Sequence, residues 1–278
     1  MKKRFLAMLL AGAMVMGLVG CGSSESSKET TNEKTGAEKF KIGVSIMELT
    51  AYPWFQGVVD GCNQWAEENA ANKGVEIKFD FEDSHSDVQT MLTNLDNMQV
   101  AGCNGIILFP ADASSAIPTM KECVNNEIPV IVGDYVQEPA SESDVVWSTF
   151  VGHDMKALGR KAGETAVAYL DTLGKDDPVC LFISRPTSGK ASSDRFDGFK
   201  EIVLESYPNA KIIEEGNEAW LGEVLQDPVV LGYQATDAMI KVLMDKEELP
   251  EKYDLPDPEV ITKENIKDYD WKNWKWLG

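Results

Sequence analysis

The stretch "KIGVSIMELTAYPWFQGVVDGCNQWAEENA", residues 41–70, changes its apolar period halfway, and that change decides the fold. "KIGVSIM" is a short run rich in apolar and β-branched side chains, the composition of a strand. From Phe55 onward, Val58, Val59, Cys62 and Trp65 recur at three- and four-residue spacing, which collects them on one face of a helix. A strand followed by a helix is the building unit of a parallel sheet with helices on its faces.

The unit repeats. "VEIKFDF" is the next strand, and Val88, Met91, Leu92, Leu95 and Met98 mark the next helix, with Ser86 as its N-cap and Gly102 as its stop. Strand "GIILFP", a helix around "AIPTMKECVNN" and strand "IPVIVGD" follow. Beyond the Pro- and Ser-containing "VQEPASESD", a second series opens with strand "VVWSTFVG". It continues through helix "DMKALGRKAGETAVAYLDTL", strand "PVCLFIS", helix "SSDRFDGFKEIVLESY" and strand "AKIIEE". Then come "LGEVLQD", helix "PVVLGYQATDAMIKVLMDK", an acidic turn-rich stretch, strand "EVITK" and a tail holding Trp271, Trp274 and Trp276. The expectation is α/β: two doubly wound parallel-sheet lobes joined by a hinge, alike in architecture rather than in a short repeat.

The N-terminus has a different character. Lys2, Lys3 and Arg4 precede the apolar run "FLAMLLAGAMVMGLVG", and Cys21 follows at once. This reads as a bacterial export signal, since the run is shorter than the ~20 residues that cross a bilayer. "LVGC" resembles a lipobox, which would make Cys21 the acylated first residue of a membrane-anchored lipoprotein. Residues 22–39, rich in Ser, Thr, Glu, Lys and Gly, cannot bury a core and read as a tether.

Composition limits the function classes. With 43% apolar and 26% charged residues the chain is globular, and its net charge is −20, becoming −23 without the three basic residues of the signal. That charge argues against nucleic acid as a partner. Cys62, Cys103, Cys123 and Cys180 form no C-x-x-C pair; they read as buried free thiols, and a disulfide stays open because sequence cannot pair them. Two histidines and no carboxylate cluster at ligand spacing give a zinc site little support, and no cofactor is expected.

A lipoprotein signal, a tether and two doubly wound lobes resemble the type I periplasmic binding proteins, specifically the ribose- and galactose-type substrate-binding proteins of sugar ABC transporters. The pieces that carry the resemblance are "AYPWFQGVVDG", "GIILFPAD", "IPVIVGDY", "VGHDMKALGRKAGE", "SDRFDGF" and "EVLQDPVVLGY", in that order and spacing. The resemblance divides the chain into a signal peptide over 1–20, a tether over 21–39 and a first lobe over 40–136 with a returning helix at 228–246. An incomplete second lobe over 137–227 and a C-terminal crossover and tail over 247–278 complete it.

In this family the ligand lies in the cleft at the carboxyl ends of both sheets. Tyr52, Trp54 and Phe55 match the aromatic loop whose rings stack on the sugar, with core packing the alternative for Phe55. Asp134 matches the carboxylate that accepts from hydroxyls, and Arg195 the arginine whose forked donors suit adjacent hydroxyls. A surface salt bridge to Asp194 or Asp197 is the alternative for Arg195. Gln226 matches the crossover residue between the lobes, and Trp220 stands near the place of a further aromatic. Relatives often carry an arginine after the aspartate, where this chain has Tyr135.

By comparison with the family, two strand–helix units are missing between Trp220 and Leu221, about sixty residues at roughly thirty per unit. The second lobe is therefore expected to be truncated. Strand "EVLQ" would have to pair with "PVCLFIS" or leave backbone groups unpaired. The implied role is an extracytoplasmic, lipid-anchored receptor on the periplasmic or cell-surface side that captures a monosaccharide or polyol and hands it to an ABC transporter permease. Two rivals fail on sequence. A related regulator needs an N-terminal helix-turn-helix where the lipobox stands, and an enzyme needs a phosphate loop, metal site or nucleophile–base pair. The remaining alternative is a degenerate member with weak or no sugar binding, acting as an interaction or sensory module.

Overall fold

The computed structural model describes residues 36–134, 145–183, 190–214, 222–224, 226–253, 255–262 and 265–268. Its strands are β1 (Glu38–Ile46), β2 (Val75–Asp83), β3 (Gly105–Leu108), β4 (Val130–Gly133), β5 (Thr149–Val151), β6 (Val179–Phe182), β7 (Lys211–Glu214), β8 (Gly222–Val224), β9 (Lys252–Tyr253) and β10 (Val260–Thr262). Its helices are α1 (Trp54–Lys73), α2 (Val88–Val100), α3 (Ala113–Asn125), α4 (Met155–Leu173), α5 (Lys190–Ser206) and α6 (Pro228–Ile240), the last running on into a π-helical turn over Lys241–Asp245.

Six strands form one all-parallel sheet in the order β2-β1-β3-β4-β5-β9. Adjacent residues of a strand face opposite sides, and the sheet uses both. Ile42, Val44, Ile46, Ile107 and Ile131 pack with Phe55, Val58, Cys62 and Trp65 of α1 and Leu231 and Ala235 of α6. Ile106, Leu108, Val130 and Val132 pack on the other side with Met91, Leu95 and Met98 of α2 and Met120 and Cys123 of α3. The near-continuous apolar strands of the sequence are thus strands buried on two faces.

Several expectations change. β5, which heads the second series in the sequence, pairs with β4 and β9 in the first sheet. A parallel strand can join any open edge once its connection is long enough, and the pattern of "VVWSTFVG" carries no record of which sheet receives it. β9 carries no strand signal in the sequence, because two residues show no period. β1 begins at Glu38 rather than near Phe40, drawn out by pairing along its whole length with β2. Asp87, not Ser86, caps α2: its carboxylate accepts from the Thr90 amide at 2.7 Å, while Ser86 sits at φ 57° with its hydroxyl turned to Glu48. The four cysteines outside the signal region are free and buried.

The returning helix lies against α1 at backbone contact. A β-carbon placed on Gly61 would come within 2.0 Å of the Val229 carbonyl oxygen, and one on Gly232 within 2.0 Å of the Val58 carbonyl oxygen. Beside this crossing, Asp237 accepts from the Trp65 indole at 3.1 Å, from Tyr253 at 2.6 Å and from Lys241 at 2.8 Å, tying α1, α6 and β9 together.

The second lobe is smaller. β6 and β7 pair in parallel as a two-stranded sheet, covered on one face by Ala166 and Leu170 of α4 and Phe199 and Val203 of α5. α4 and α5 cross as closely as α1 and α6, with β-carbon positions at Gly159 and Gly198 only 2.0 and 2.1 Å from backbone oxygens of Arg195 and Lys156. β8 takes neither course expected of it. It pairs antiparallel with β10, because a strand without neighbours in the second sheet satisfies its backbone with the nearest free strand.

Candidate functional site

The candidate residues converge where strands end and helices begin. Trp54 opens α1 behind Pro53, on the loop that leaves β1, and its indole donates to the Gln226 carbonyl at 3.0 Å. Its ring meets Phe55 edge-on at 4.9 Å, and Phe55 meets Phe109 edge-on at 6.3 Å. Phe55 is 4% exposed and belongs to the first core, the alternative the sequence left open for it. Its service is to brace Trp54. Tyr52 is partly buried against the same core.

Asp134 follows the last residue of β4 and holds a left-handed backbone at φ 67°, uncommon for any residue but glycine. Its amide donates to the Val151 carbonyl at 3.0 Å, and the missing side chain of Gly152 makes room for its carbonyl oxygen, 2.5 Å from where a β-carbon would sit. The backbone turn aims the carboxylate at the second lobe. There the Gln226 amide nitrogen lies 3.5 Å from an Asp134 oxygen, and the Gln226 amide oxygen accepts from the Arg195 guanidinium at 2.9 Å. Arg195 rides on α5, and Asp197 pairs with Lys200. Asp134, Gln226 and Arg195 thus form one chain of polar groups from the first lobe to the second, with Trp54 beside it.

Burial pushes the Asp134 carboxyl up to about 6, against the opposing pull of the Arg195 charge and the Gln226 hydrogen bond. His153 moves the other way: burial first, then the Lys252 and Arg195 charges, hold it below its ordinary value, with Asp227 opposing. In the sequence His153 enters only as one of two histidines that could ligate a metal. Its place after β5 in "VGHDMK" was the signal that could have put it beside the cleft arginine.

Asp227 caps α6 by accepting from the Val229 amide at 2.9 Å, and so fixes Gln226 one residue earlier. Trp220, Tyr135 and Cys21 lie outside the described residues. Glu48, Asp83 and His85 do approach one another, with potential ligand atoms within 4.8 Å, which the sequence reading did not foresee. Their oxygens are engaged locally: Glu48 accepts from the Thr50 and Ala51 amides, and Asp83 from the Leu49 and His85 amides. The cluster closes the loop after β1 against the loop after β2. Among the described residues no helix is long and apolar enough to cross a membrane.

A family model described as a periplasmic binding protein domain matches residues 42–224. Among curated relatives, the xylitol-binding protein of Mycolicibacterium smegmatis is 21% identical over 214 residues, 77% of this chain and 54% of its own. The D-ribose/D-allose-binding protein of Pseudomonas aeruginosa is 23% identical over 181 residues, 65% of this chain and 54% of its own. The chain therefore spans about half the length of the curated relatives it matches. Among solved structures, an ABC transporter solute-binding protein of Mycobacterium smegmatis with bound glycerol superposes with a TM-score of 0.67 at 20% identity, covering 84% of this chain and 96% of that one. A periplasmic ribose ABC transporter protein of Conexibacter woesei gives 0.68 at 17% identity, covering 84% and 95%. These likenesses establish the fold, and the curated relatives are binding proteins rather than enzymes.

Proposed function

The chain belongs to the periplasmic binding protein family, and from that premise we propose that it captures a sugar or polyol between its lobes and delivers it to an ABC transporter permease. The observation that carries this reading is the polar chain Asp134–Gln226–Arg195 beside Trp54. A sugar offers hydroxyls that both donate and accept, and C–H faces that pack on rings. A buried carboxylate, a forked cation and an indole complement all three. Acylation at Cys21 would hold the protein outside the membrane within reach of a permease, a reading supported by the "LVGC" motif. Cys21→Ser expressed in a bacterial host should leave the protein unprocessed or released.

Calorimetric titration of the purified protein with pentoses, hexoses and polyols tests capture directly. Saturable heat with one class, weakened at least about tenfold in Asp134→Ala, is the expected result. One observation favours a second reading, a family member with weak or no sugar binding: among the described residues the second lobe has a two-stranded parallel sheet, β6 and β7. That reading takes over if none of the sugars gives saturable heat at millimolar concentration.

A further inference from the structure

Gln226 stands at the centre of the polar chain, and its own place is set from the first lobe. Its carbonyl oxygen accepts from the Trp54 indole at 3.0 Å, across 172 positions of sequence. The next residue, Asp227, caps α6, and α6 meets α1 at backbone contact where Gly232 crosses Val58. Trp54 is fixed in turn. Its ring stands edge-on to Phe55, Phe55 stands edge-on to Phe109, and the Phe109 ring packs against Gly133, 2.3 Å from where a β-carbon would sit. Gly133 is the residue before Asp134. The contacts therefore close a ring, from Asp134 through Phe109, Phe55 and Trp54 to Gln226, whose side-chain nitrogen returns to within 3.5 Å of the Asp134 carboxylate.

We propose that Trp54 is a positioning residue, whose indole N–H holds the Gln226 backbone where the Gln226 amide reaches both Asp134 and Arg195. The proposal rests on the capture reading for its purpose, and it gives the indole nitrogen a task separate from the ring's contact with a ligand. Indole has a single donor, and here that donor is spent on the protein. The carbonyl it holds lies one residue before the N-cap of α6, where the helix's own hydrogen bonds do not reach. The Gln226 amide has little slack, since it spans 2.9 Å to Arg195 and 3.5 Å to Asp134, and hydrogen bonds weaken steeply beyond such lengths. Its N–H favours the ionised form of Asp134, as does the Arg195 charge, and both act against burial. Released by Trp54, the amide would leave Asp134, and the carboxyl would keep its proton to higher pH.

Trp54→Phe tests this, because it keeps a ring and removes the N–H. Carboxyl-carbon NMR of the ligand-free protein follows Asp134 as the pH is varied. The midpoint, about 6 in the wild type, should move upward in Trp54→Phe and in Gln226→Ala. The double variant should match Gln226→Ala, because Trp54 acts only through Gln226. A sugar that the wild type binds should bind Trp54→Phe about fivefold more weakly, the scale of one neutral hydrogen bond. An Asp134 midpoint unmoved in Trp54→Phe overturns the proposal, and so does a double variant whose midpoint lies above that of Gln226→Ala. The titration needs no ligand, so a protein that binds none of the sugars loses the capture reading while Asp134 still decides this one. If Trp54→Phe loses hydrogen-exchange protection over residues 41–133, the wild-type chain decides instead. There the Trp54 indole nitrogen resonance should titrate with the midpoint of Asp134, and it should cease to do so in Gln226→Ala. Titration in both proteins, or in neither, overturns the proposal.

Discussion

The Arg195 guanidinium and the side-chain oxygen of Gln226 lie 2.9 Å apart, and the same amide turns its nitrogen toward Asp134. Gln226 therefore offers an acceptor to the cation and a donor to the carboxylate. A sugar with two adjacent hydroxyls presents the same pair. Charge-assisted hydrogen bonds are about twice as strong as neutral ones, so Asp134→Ala and Arg195→Ala should each weaken binding at least about tenfold, or ~1.4 kcal/mol. Titration calorimetry measures this, and wild-type affinity in both variants moves the site elsewhere.

The raised Asp134 pKa carries a sign. The folded state holds this proton more tightly than the unfolded chain does, so the group favours folding below 3.8 and that contribution is lost as pH rises through about 6. Ligand binding runs opposite, because a hydroxyl donates to the ionised form. Affinity should be flat above pH 6 and fall by up to tenfold per unit below it. Asp134→Asn should remove that slope; a slope that persists assigns it to His153, the other shifted group beside Arg195.

Strands buried on both faces and helices with one apolar stripe follow from period alone, which is why β1 to β4 and the six described α-helices were legible. Asp134 was legible too, because a carboxylate just past "VIVG" stands at the carboxyl end of a strand. Two kinds of feature were not. β5 and β8 are three-residue strands, and a partner in another part of the chain leaves no mark on so short a run. The Gln226 bridge depends on side chains 31 and 92 residues away in sequence, a distance that spacing cannot encode.

The two close helix crossings make matched tests of the lobes. Gly61→Ala would force a β-carbon against the Val229 carbonyl, and Gly159→Ala would do the same against Arg195. Overpacking of this kind costs typically ~1–3 kcal/mol. Urea unfolding should show Gly61→Ala destabilising the larger unit. Gly159→Ala should act on the smaller one and weaken ligand binding as well, since it displaces the backbone that carries Arg195. An unchanged midpoint in both would mean that the helices separate without cost.

Burial raises the pKa of all four described thiols, with Cys62 pushed up to about 12, so little thiolate is present at neutral pH. Labelling by an aromatic disulfide should therefore report opening of the structure. Cys180, on β6, should react first, well before Cys62, Cys103 and Cys123, which belong to the two cores of the six-stranded sheet. Simultaneous labelling of all four would indicate a single cooperative unit.

That ordering follows from how each lobe is built, and hydrogen exchange examines it strand by strand. In the first sheet β1, β3 and β4 each have neighbours on both edges and helices on both faces, so their amides open only with the whole lobe. In the second, β6 and β7 have one ladder between them, and one face of β6 is exposed. Local opening there breaks few hydrogen bonds and uncovers little apolar area. Residues 41–133 should exchange slowly and residues 178–214 quickly, and a saturating sugar should slow the second set most, because closing the cleft ties Arg195 and Gln226 to the ordered lobe. Equal protection in the absence of ligand would show that α4 and α5, packed at backbone contact, stabilise the small lobe as fully as the large sheet stabilises its own.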